Sequence, residues 1–432
     1  MPVIAVIGGQ WGDEGKGRVI DLLAEQSDVV ARFSGGANAG HTVVNQRGRF
    51  ALHLVPSGIF NPEADCIIGN GVAVDPASLL EEIESLQKAS ISTERLYISD
   101  RAQVVMPYHQ LLDRLEEERL GGSALGTTRR GIGPTFADKA ARLGIRTADL
   151  LDPPGFRERL APILELKNAI ITKVYGSPAL DLEEVYTRYL DYGRRLRGYI
   201  RETHLLMQAA LAQNKRIILE GAQGAMLDVD FGTYPYVTSS SPLAAGAAGG
   251  LGIPARLNRA LGVYKAYVTR VGAGPLPTEL DDTMGAALRD WGMEYGATTG
   301  RPRRCGWFDA VAARHSARIS GFTDIALTKL DVLDRCPAIK VCTAYQLDGQ
   351  TLTTFPASAA ALERCTPVYE ELEGWQQPTQ DIRRFGDLPQ RARRYVRRLQ
   401  GLIGCPVGMI SVGDSREQMI QRRPLLRSRA AA

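Results

Sequence analysis

Val3-Ile4-Ala5-Val6-Ile7-Gly8-Gly9-Gln10-Trp11-Gly12-Asp13-Glu14-Gly15-Lys16-Gly17-Arg18 decides how the rest of the chain is read. Its first five residues are apolar, mostly β-branched and without alternation, the pattern of a strand buried on both faces. Glycines crowd the next ten positions, and Val19-Ile20 with Leu22-Leu23 then opens a helical pattern. Strand, Gly-rich loop and helix form a phosphate cradle, because backbone N–H groups converge there and a helix N-terminus favours negative charge. The loop is not a Walker A motif. Gln10 stands where that motif has its first Gly, and Gly17 stands where it has a Ser or Thr to hold Mg²⁺. Asp13 lies inside the loop, where a carboxylate would repel phosphate unless it binds metal or takes a proton. The plainer alternative is a tight strand–helix turn with a solvated Asp.

The composition fits a globular enzyme. Of 432 residues, 44% are hydrophobic and 23% charged, and the net charge of +4 is too small to argue for nucleic acid. Length alone permits two or three domains or one large α/β unit with insertions. The six cysteines are scattered without a C-x-x-C pair, which predicts reduced thiols and neither a disulfide framework nor a zinc site. Met1-Pro2 runs directly into the strand, which predicts no signal peptide, and no apolar run reaches membrane-spanning length.

Further strands are expected at 28–33, 66–69, 96–98, 216–220, 262–270, 325–328 and 407–412, with amphipathic helices after several of them. Asp75-Pro76 reads as an N-cap followed by Pro at the first helical position, with Leu79, Leu80, Ile83 and Leu86 on one face. Strands alternating with helices predict a central, mostly parallel sheet flanked by helices. Residues 150–213 read as a helical insertion, 121–146 as one long loop and 246–252 as loop. The segment 228–241, rich in hydroxyls, reads as a recognition loop. Arg391 to Leu402 reads as an ordinary surface helix with Ala392, Tyr395, Val396 and Leu399 on its apolar face.

The chemistry-bearing residues cluster in Gly-rich segments. Asn38 and His41 lie in Ser34-Gly35-Gly36-Ala37-Asn38-Ala39-Gly40-His41-Thr42, where nothing bulky is expected to bury the imidazole. There it could act as an acid or stabilise charge. His53 reads as a strand residue without chemistry. Thr128, Arg129 and Arg130 suit a phosphate monoester, and Thr298, Thr299, Arg301, Arg303 and Arg304 suit a dicarboxylate or phosphate. Thr328-Lys329-Leu330-Asp331 ends a strand in the manner of a guanine pocket, since an ionised Asp accepts from both guanine N1–H and the exocyclic amine. Gly413-Asp414-Ser415-Arg416 follows the last strand and is expected beside it.

These segments, in this order, resemble the adenylosuccinate synthetase family. Gln10 to Gly17 and Gly131-Ile132-Gly133-Pro134 with Asp138, Lys139 and Arg142 resemble its two signatures. Asn38 to Thr42, Glu220 to Gly224, Gly232 to Ser240, Thr299 to Arg304 and Thr328 to Asp331 also match. The resemblance implies a P-loop-NTPase-like α/β fold with inserted subdomains, one synthetase unit over 1–432. Within it fall a phosphate loop at 8–18, an IMP and dimer loop at 121–146, a helical insertion at about 150–213, an aspartate loop at 297–303 and a guanine pocket at 328–331 and 411–416.

The family joins IMP to L-aspartate with GTP and Mg²⁺, through 6-phosphoryl-IMP, in the first committed step of AMP synthesis. By that resemblance Asp13 is the base at N1 of IMP and a metal ligand, and the Gly40 carbonyl is a second metal ligand. His41 is the acid, with Lys16 and Gln223 as catalytic partners. GTP is implied to meet Gly12, Gly15, Lys16, Gly17, Gly40, His41, Thr42, Arg303, Lys329, Asp331, Ser411 and Gly413. IMP is implied to meet Asp13, Asn38, Thr128, Gln223, Thr238 and Arg301, and aspartate to meet Ala297, Thr298, Thr299, Gly300, Arg301 and Arg303. Arg142 is implied to reach the IMP phosphate of a neighbouring subunit in a cytoplasmic homodimer, with no nucleic-acid or membrane partner. Arg18, Phe136 and Arg129 depart from the family pattern. A GTP-dependent switch and a sister synthetase for another purine monophosphate are the alternative readings.

Overall fold

A computed structural model describes residues 3–45, 47–255, 257–296 and 300–426. Ten strands form the central sheet: β1 Val3–Gly8, β2 Val29–Arg32, β3 Asp65–Ile68, β4 Leu96–Ser99, β5 Ile200–Arg201, β6 Ile217–Glu220, β7 Arg259–Lys265, β8 Asp324–Thr328, β9 Val407–Ser411 and β10 Met419–Gln421. Their spatial order is β10-β9-β8-β7-β1-β6-β2-β3-β4-β5. Every pairing is parallel except the last, β9 with β10. This is the mostly parallel α/β sheet expected from the sequence.

The unalternating run of β1 has a direct cause. Ile4 and Val6 pack against Val19, Ile20 and Leu23 of α1, Lys16–Ala24. Val3, Ala5 and Ile7 face the other way, in one cluster with Met207, Ala247 and Leu251. Both faces are covered by helices, so no position along the strand tolerates a polar residue.

The chain leaves β1, builds β2 to β5 on one side, and returns to insert β6 beside β1. It then crosses to build β7 to β10 on the other side. The loops after β1, β6, β7 and β8 therefore gather around one crevice at the carboxyl ends of the strands, the usual place for a ligand in an open α/β sheet.

The helices are α2 Pro76–Lys88, α3 Pro107–Leu120, α4 Ile132–Ala141, α5 Pro153–Lys173, α6 Leu182–Leu196, α7 Thr203–Ala212, α8 Gly246–Leu251, α9 Thr283–Trp291, α10 Ala310–Ser320, α11 Ala359–Arg364 and α12 Gln390–Ile403. Asp75 caps α2 as the sequence predicts, accepting from Ala77 N at 3.1 Å and Ser78 N at 3.4 Å. The insertion at 150–213 is helical, but its Ile200–Arg201 segment also joins the edge of the main sheet beside β4.

Several expectations are corrected. Residues 121–146 are not one loop, because α4 starts at Ile132. Gly131 adopts a left-handed φ of 74° as its N-cap, and Pro134 falls in the first turn, where its missing N–H does no harm. Residues 246–251 form α8 instead of loop. Its glycines permit close packing, since a Cβ on Gly250 would stand 2.2 Å from the Phe33 carbonyl oxygen. The stretch 262–270 divides between β7 and a separate strand Val268–Arg270, which pairs antiparallel with Arg304–Gly306. His53 lies just past the end of the strand Gly48–Leu52.

Ile218 of β6 is fully buried against the α1 layer. Ile218→Ala removes that packing and is expected to lower stability by about 2–5 kcal/mol, read as a lower urea midpoint with an unchanged denaturant slope.

Candidate active site

The crevice is built from the loop after β1. Gly8 cannot carry a side chain, because a Cβ there would approach Glu14 Oε2 to 2.4 Å and the Gln223 carbonyl oxygen to 2.5 Å. Gly12, Asp13 and Gly15 all have left-handed φ, at 92°, 60° and 84°. These turns fold the loop over the buried Glu14, whose Oε1 accepts from Gln10 N at 3.1 Å and Gly12 N at 2.9 Å. Glu14 Oε2 holds Lys16 Nζ at 2.6 Å. Lys16 opens α1, so the N–H groups of the helix's first turn face the crevice mouth, as anion binding requires. Gly17 seats that turn against His41 and Thr42, its virtual Cβ lying 3.1 Å from His41 Cβ.

His41 is buried, contrary to the expectation of an open loop, and it begins the strand His41–Asn45. The cause is Glu220, the last residue of β6 and itself fully buried. Its Oε1 lies 2.5 Å from His41 Nδ1, and its carboxylate is fixed by Ser57 N at 2.8 Å and Ser57 Oγ at 3.0 Å. A carboxylate on Nδ1 sets the ring's orientation and turns Nε2 away from Glu220. Burial pushes the imidazole's pKa down from its ordinary value, and the Glu220 contact opposes that. The sequence places Glu220 in a segment that matches the family but gives it no role. A lone carboxylate ending a buried apolar strand just before a Gly turn was the available signal.

Gln223, at a left-handed φ of 54°, donates through Nε2 to Asn38 Oδ1 at 3.0 Å, so these two IMP candidates do meet. The Gln223 Oε1 and Thr238 Oγ1 atoms are buried without a hydrogen-bond partner among the described residues. The Thr128 segment is anchored to α3. Glu117 accepts from the backbone N–H groups of Leu125, Gly126 and Thr127, while Asp113 takes Thr127 Oγ1 and Gly131 N at 2.8 Å each. Arg142 caps α4 in the left-handed conformation with its side chain exposed. Arg301 is exposed on the 296–303 segment, where its carbonyl accepts Gly296 N at 2.8 Å. Ala297, Thr298 and Thr299 lie outside the described residues.

On the other side of β1, Thr328 Oγ1 donates to the Glu14 carbonyl at 2.6 Å, tying the end of β8 to the phosphate loop. Lys329 is left-handed at φ 56°. Asp331 is half-buried, its Oδ1 has no hydrogen-bond partner among the described residues, and desolvation raises its pKa although Gln380 donates to the carboxyl group. Arg18 joins α1 to the 411–416 loop, donating to Ser411 Oγ at 2.8 Å and Asp414 Oδ1 at 2.7 Å. The pairing of β8 with β9 holds the two halves of the guanine candidate side by side, and Arg18 gains a structural reason by fixing the second half to α1. Arg303 lies over Asp13, with Nε 2.9 Å from Asp13 Oδ2. Its Nη1 reaches the buried Glu294 Oε2 at 2.5 Å. The sequence carried no signal for Glu294.

The donor set suits a hard cation. Asp13 offers a carboxylate beside the loop, and no group of three His, Cys, Asp or Glu among the described residues forms a cage of its own. A cation that takes one or two protein oxygens and completes its shell from phosphates and water fits this arrangement. No helix among the described residues is long and apolar enough to cross a membrane.

The family model for adenylosuccinate synthetase matches residues 5–420. The chain is 54% identical to the adenylosuccinate synthetase of Dehalococcoides mccartyi over 423 residues, covering 98% of this chain and 100% of that one. It is 53% identical to that of Heliobacterium modesticaldum over 422 residues, covering 98% and 99%. In structure it resembles the fully ligated adenylosuccinate synthetase from Plasmodium falciparum, with TM-score 0.92 and 39% identity over 98% of this chain and 100% of that one. It shares its fold alone with the cyanophage S-2L succinoaminodeoxyadenylate synthetase, at TM-score 0.61 and 23% identity over 98% and 96%.

Glu220→Gln keeps the shape but removes the charge that favours the His41 imidazolium. His41 is therefore expected to titrate at a still lower pH in the variant than in the wild type. With only five histidines in the chain, labelled-imidazole NMR reads this directly.

Proposed function

The chain belongs to the adenylosuccinate synthetase family, and from that premise we propose how its own residues perform the reaction. The chain is a GTP-dependent ligase that joins IMP to L-aspartate, giving adenylosuccinate, GDP and phosphate. The observation that carries the assignment of its site is three buried polar atoms, without hydrogen-bond partners among the described residues, on two sides of one phosphate loop. Gln223 Oε1 and Thr238 Oγ1 stand on one side and Asp331 Oδ1 on the other. A buried acceptor without a partner destabilises the fold by about 1–3 kcal/mol unless a ligand satisfies it. A pair of such atoms on one side and a carboxylate oxygen on the other suit two nucleotides, and a switch protein that binds GTP alone would have no use for the second.

In this reading Asp13 takes the proton from N1 of IMP, and the electron pair moves to the 6-oxygen. That oxygen attacks the γ-phosphate of GTP, and the bond to the β-phosphate oxygen breaks as GDP leaves. His41, held by Glu220, presents Nε2 to the transferring phosphoryl group, and Lys16 supports the same charge. The aspartate amine then attacks C6 and phosphate departs, a better leaving group than the oxygen it replaces. Gln223 and Asn38 orient the hypoxanthine, with Thr128, Thr238 and Arg301 completing the IMP site. Residues 297–303 hold aspartate, Arg301 and Arg303 pairing with its carboxylates. Gly12, Gly15, Gly17, Gly40 and Thr42 line the phosphates of GTP, and Lys329, Asp331, Ser411 and Gly413 hold its base. Asp13 and the Gly40 carbonyl would hold Mg²⁺, which supplies charge neutralisation at the phosphates when bound. Arg142 reaches into the site of a second subunit in a homodimer. The unit works as one synthetase across 1–432 and acts in the cytoplasm.

Product formation followed by absorbance is expected to need GTP, IMP and aspartate together. It is expected to stop on chelation, to return with Mg²⁺, and to fall at least about 10²–10⁴-fold in Asp13→Ala, the range a positioned base contributes. Phosphate release indifferent to IMP and aspartate would overturn this assignment.

A further inference from the structure

Glu294 is fully buried and follows α9, outside every segment discussed so far as ligand-binding. It divides its two oxygens among four partners. Oε2 takes Lys265 Nζ at 2.7 Å and Arg303 Nη1 at 2.5 Å. Oε1 takes the Tyr267 hydroxyl at 2.5 Å and lies 3.4 Å from Lys329 Nζ.

These partners are of two kinds. Lys265 and Tyr267 are fully buried, and they alone would satisfy a structural carboxylate. Arg303 and Lys329 are different, because each has a second partner and stands at the crevice. Arg303 reaches Asp13, while Lys329 donates to the Gly292 carbonyl just past α9 and begins the Lys329-Leu330-Asp331 turn at the end of β8. The backbone repeats the link. Arg303 N donates to the Glu294 carbonyl at 2.9 Å, and Gly296 N donates to the Arg301 carbonyl at 2.8 Å. Glu294 and Arg303 are therefore the two feet of the segment that holds residues 297–303.

We propose that Glu294 is a positioning residue that sets the guanine-side lysine, Lys329, and the aspartate-side arginine, Arg303, from one carboxylate. This rests on the synthetase reading above and deepens it, since no role in that reading falls on Glu294. Three cations converge on this carboxylate. Without it they repel one another, and Arg303 is left with Asp13 and Lys329 with the Gly292 carbonyl, neither of which neutralises the cluster as the shared carboxylate does. Glu294 touches no substrate. Its effect passes through Lys329 on the GTP side and Arg303 on the aspartate side, neither of which is among the residues assigned to hold IMP.

The test uses the full chain and measures KM separately for GTP, aspartate and IMP, with GDP binding by calorimetry as a readout that needs no turnover. Glu294→Gln alone strands Lys265 as a buried charge, so it is combined with Lys265→Met, and Lys265→Met by itself is the control. The double variant is expected to raise KM for both GTP and aspartate, and Kd for GDP, by about tenfold or more, while IMP KM stays within about twofold. Lys265→Met alone should move each value by less than about threefold. Glu294→Asp keeps the charge but shortens the reach, and should show the same split in smaller measure if the double variant does not fold. Unchanged GTP and aspartate values, a loss confined to one of them, or an equal loss for all three substrates would overturn the proposal. A wild type that binds GDP but forms no adenylosuccinate would instead overturn the reading on which it rests.

Discussion

The crevice depends on buried carboxylates that each hold basic side chains in place. Glu14 holds Lys16, Glu220 holds His41, and Glu294 holds Lys265, Arg303 and Lys329. A site for nucleotide phosphates must be rich in positive charge, yet bare cations cannot be buried at the end of a dry sheet. Pairing each with a carboxylate lets the protein fold with its cations already in position. Removing either partner of such a pair leaves the other uncompensated, so these contacts bind stability and chemistry together.

Backbone geometry supplies the rest. Three successive left-handed turns at Gly12, Asp13 and Gly15 wrap the phosphate loop around Glu14. One of them is forced on a non-glycine residue, Asp13, whose side chain is thereby thrown out of the loop toward Arg303. Strain at a non-glycine position persists only where the surroundings over-determine it. Here the Glu14 hydrogen bonds to Gln10 N and Gly12 N, with the Thr328 bond to the Glu14 carbonyl, close the loop from three directions.

The crossing of the chain at β1 unites otherwise separate parts. Glu220 comes from β6 on one side, and Thr328 and Lys329 come from β8 on the other. Arg18 reaches from α1 to the 411–416 loop, nearly 400 residues away in sequence. A parallel sheet aims all its strand ends the same way, so residues scattered over the whole length of the chain meet in one crevice.

The sequence by itself determined the architecture and most of the chemistry. The unalternating β1 run announced a two-sided parallel sheet, and the Gly-rich strand ends marked the crevice. Asp75-Pro76 fixed the start of α2, and the order of motifs identified the family. These signals are local, carried by the conformational demands of a few neighbouring residues. Tertiary structure alone decided whatever depends on contacts distant in the chain. It buried His41 against Glu220, 179 residues away, and it made Glu294 a centre of charge although nothing around it in sequence marks it. It also turned 132–141 and 246–251 into helices, because packing against α3 and against the Phe33 carbonyl outweighed a glycine-rich composition that reads as loop. A carboxylate's role is set by which cation it meets in the dry interior, and that meeting exists only once the sheet has formed.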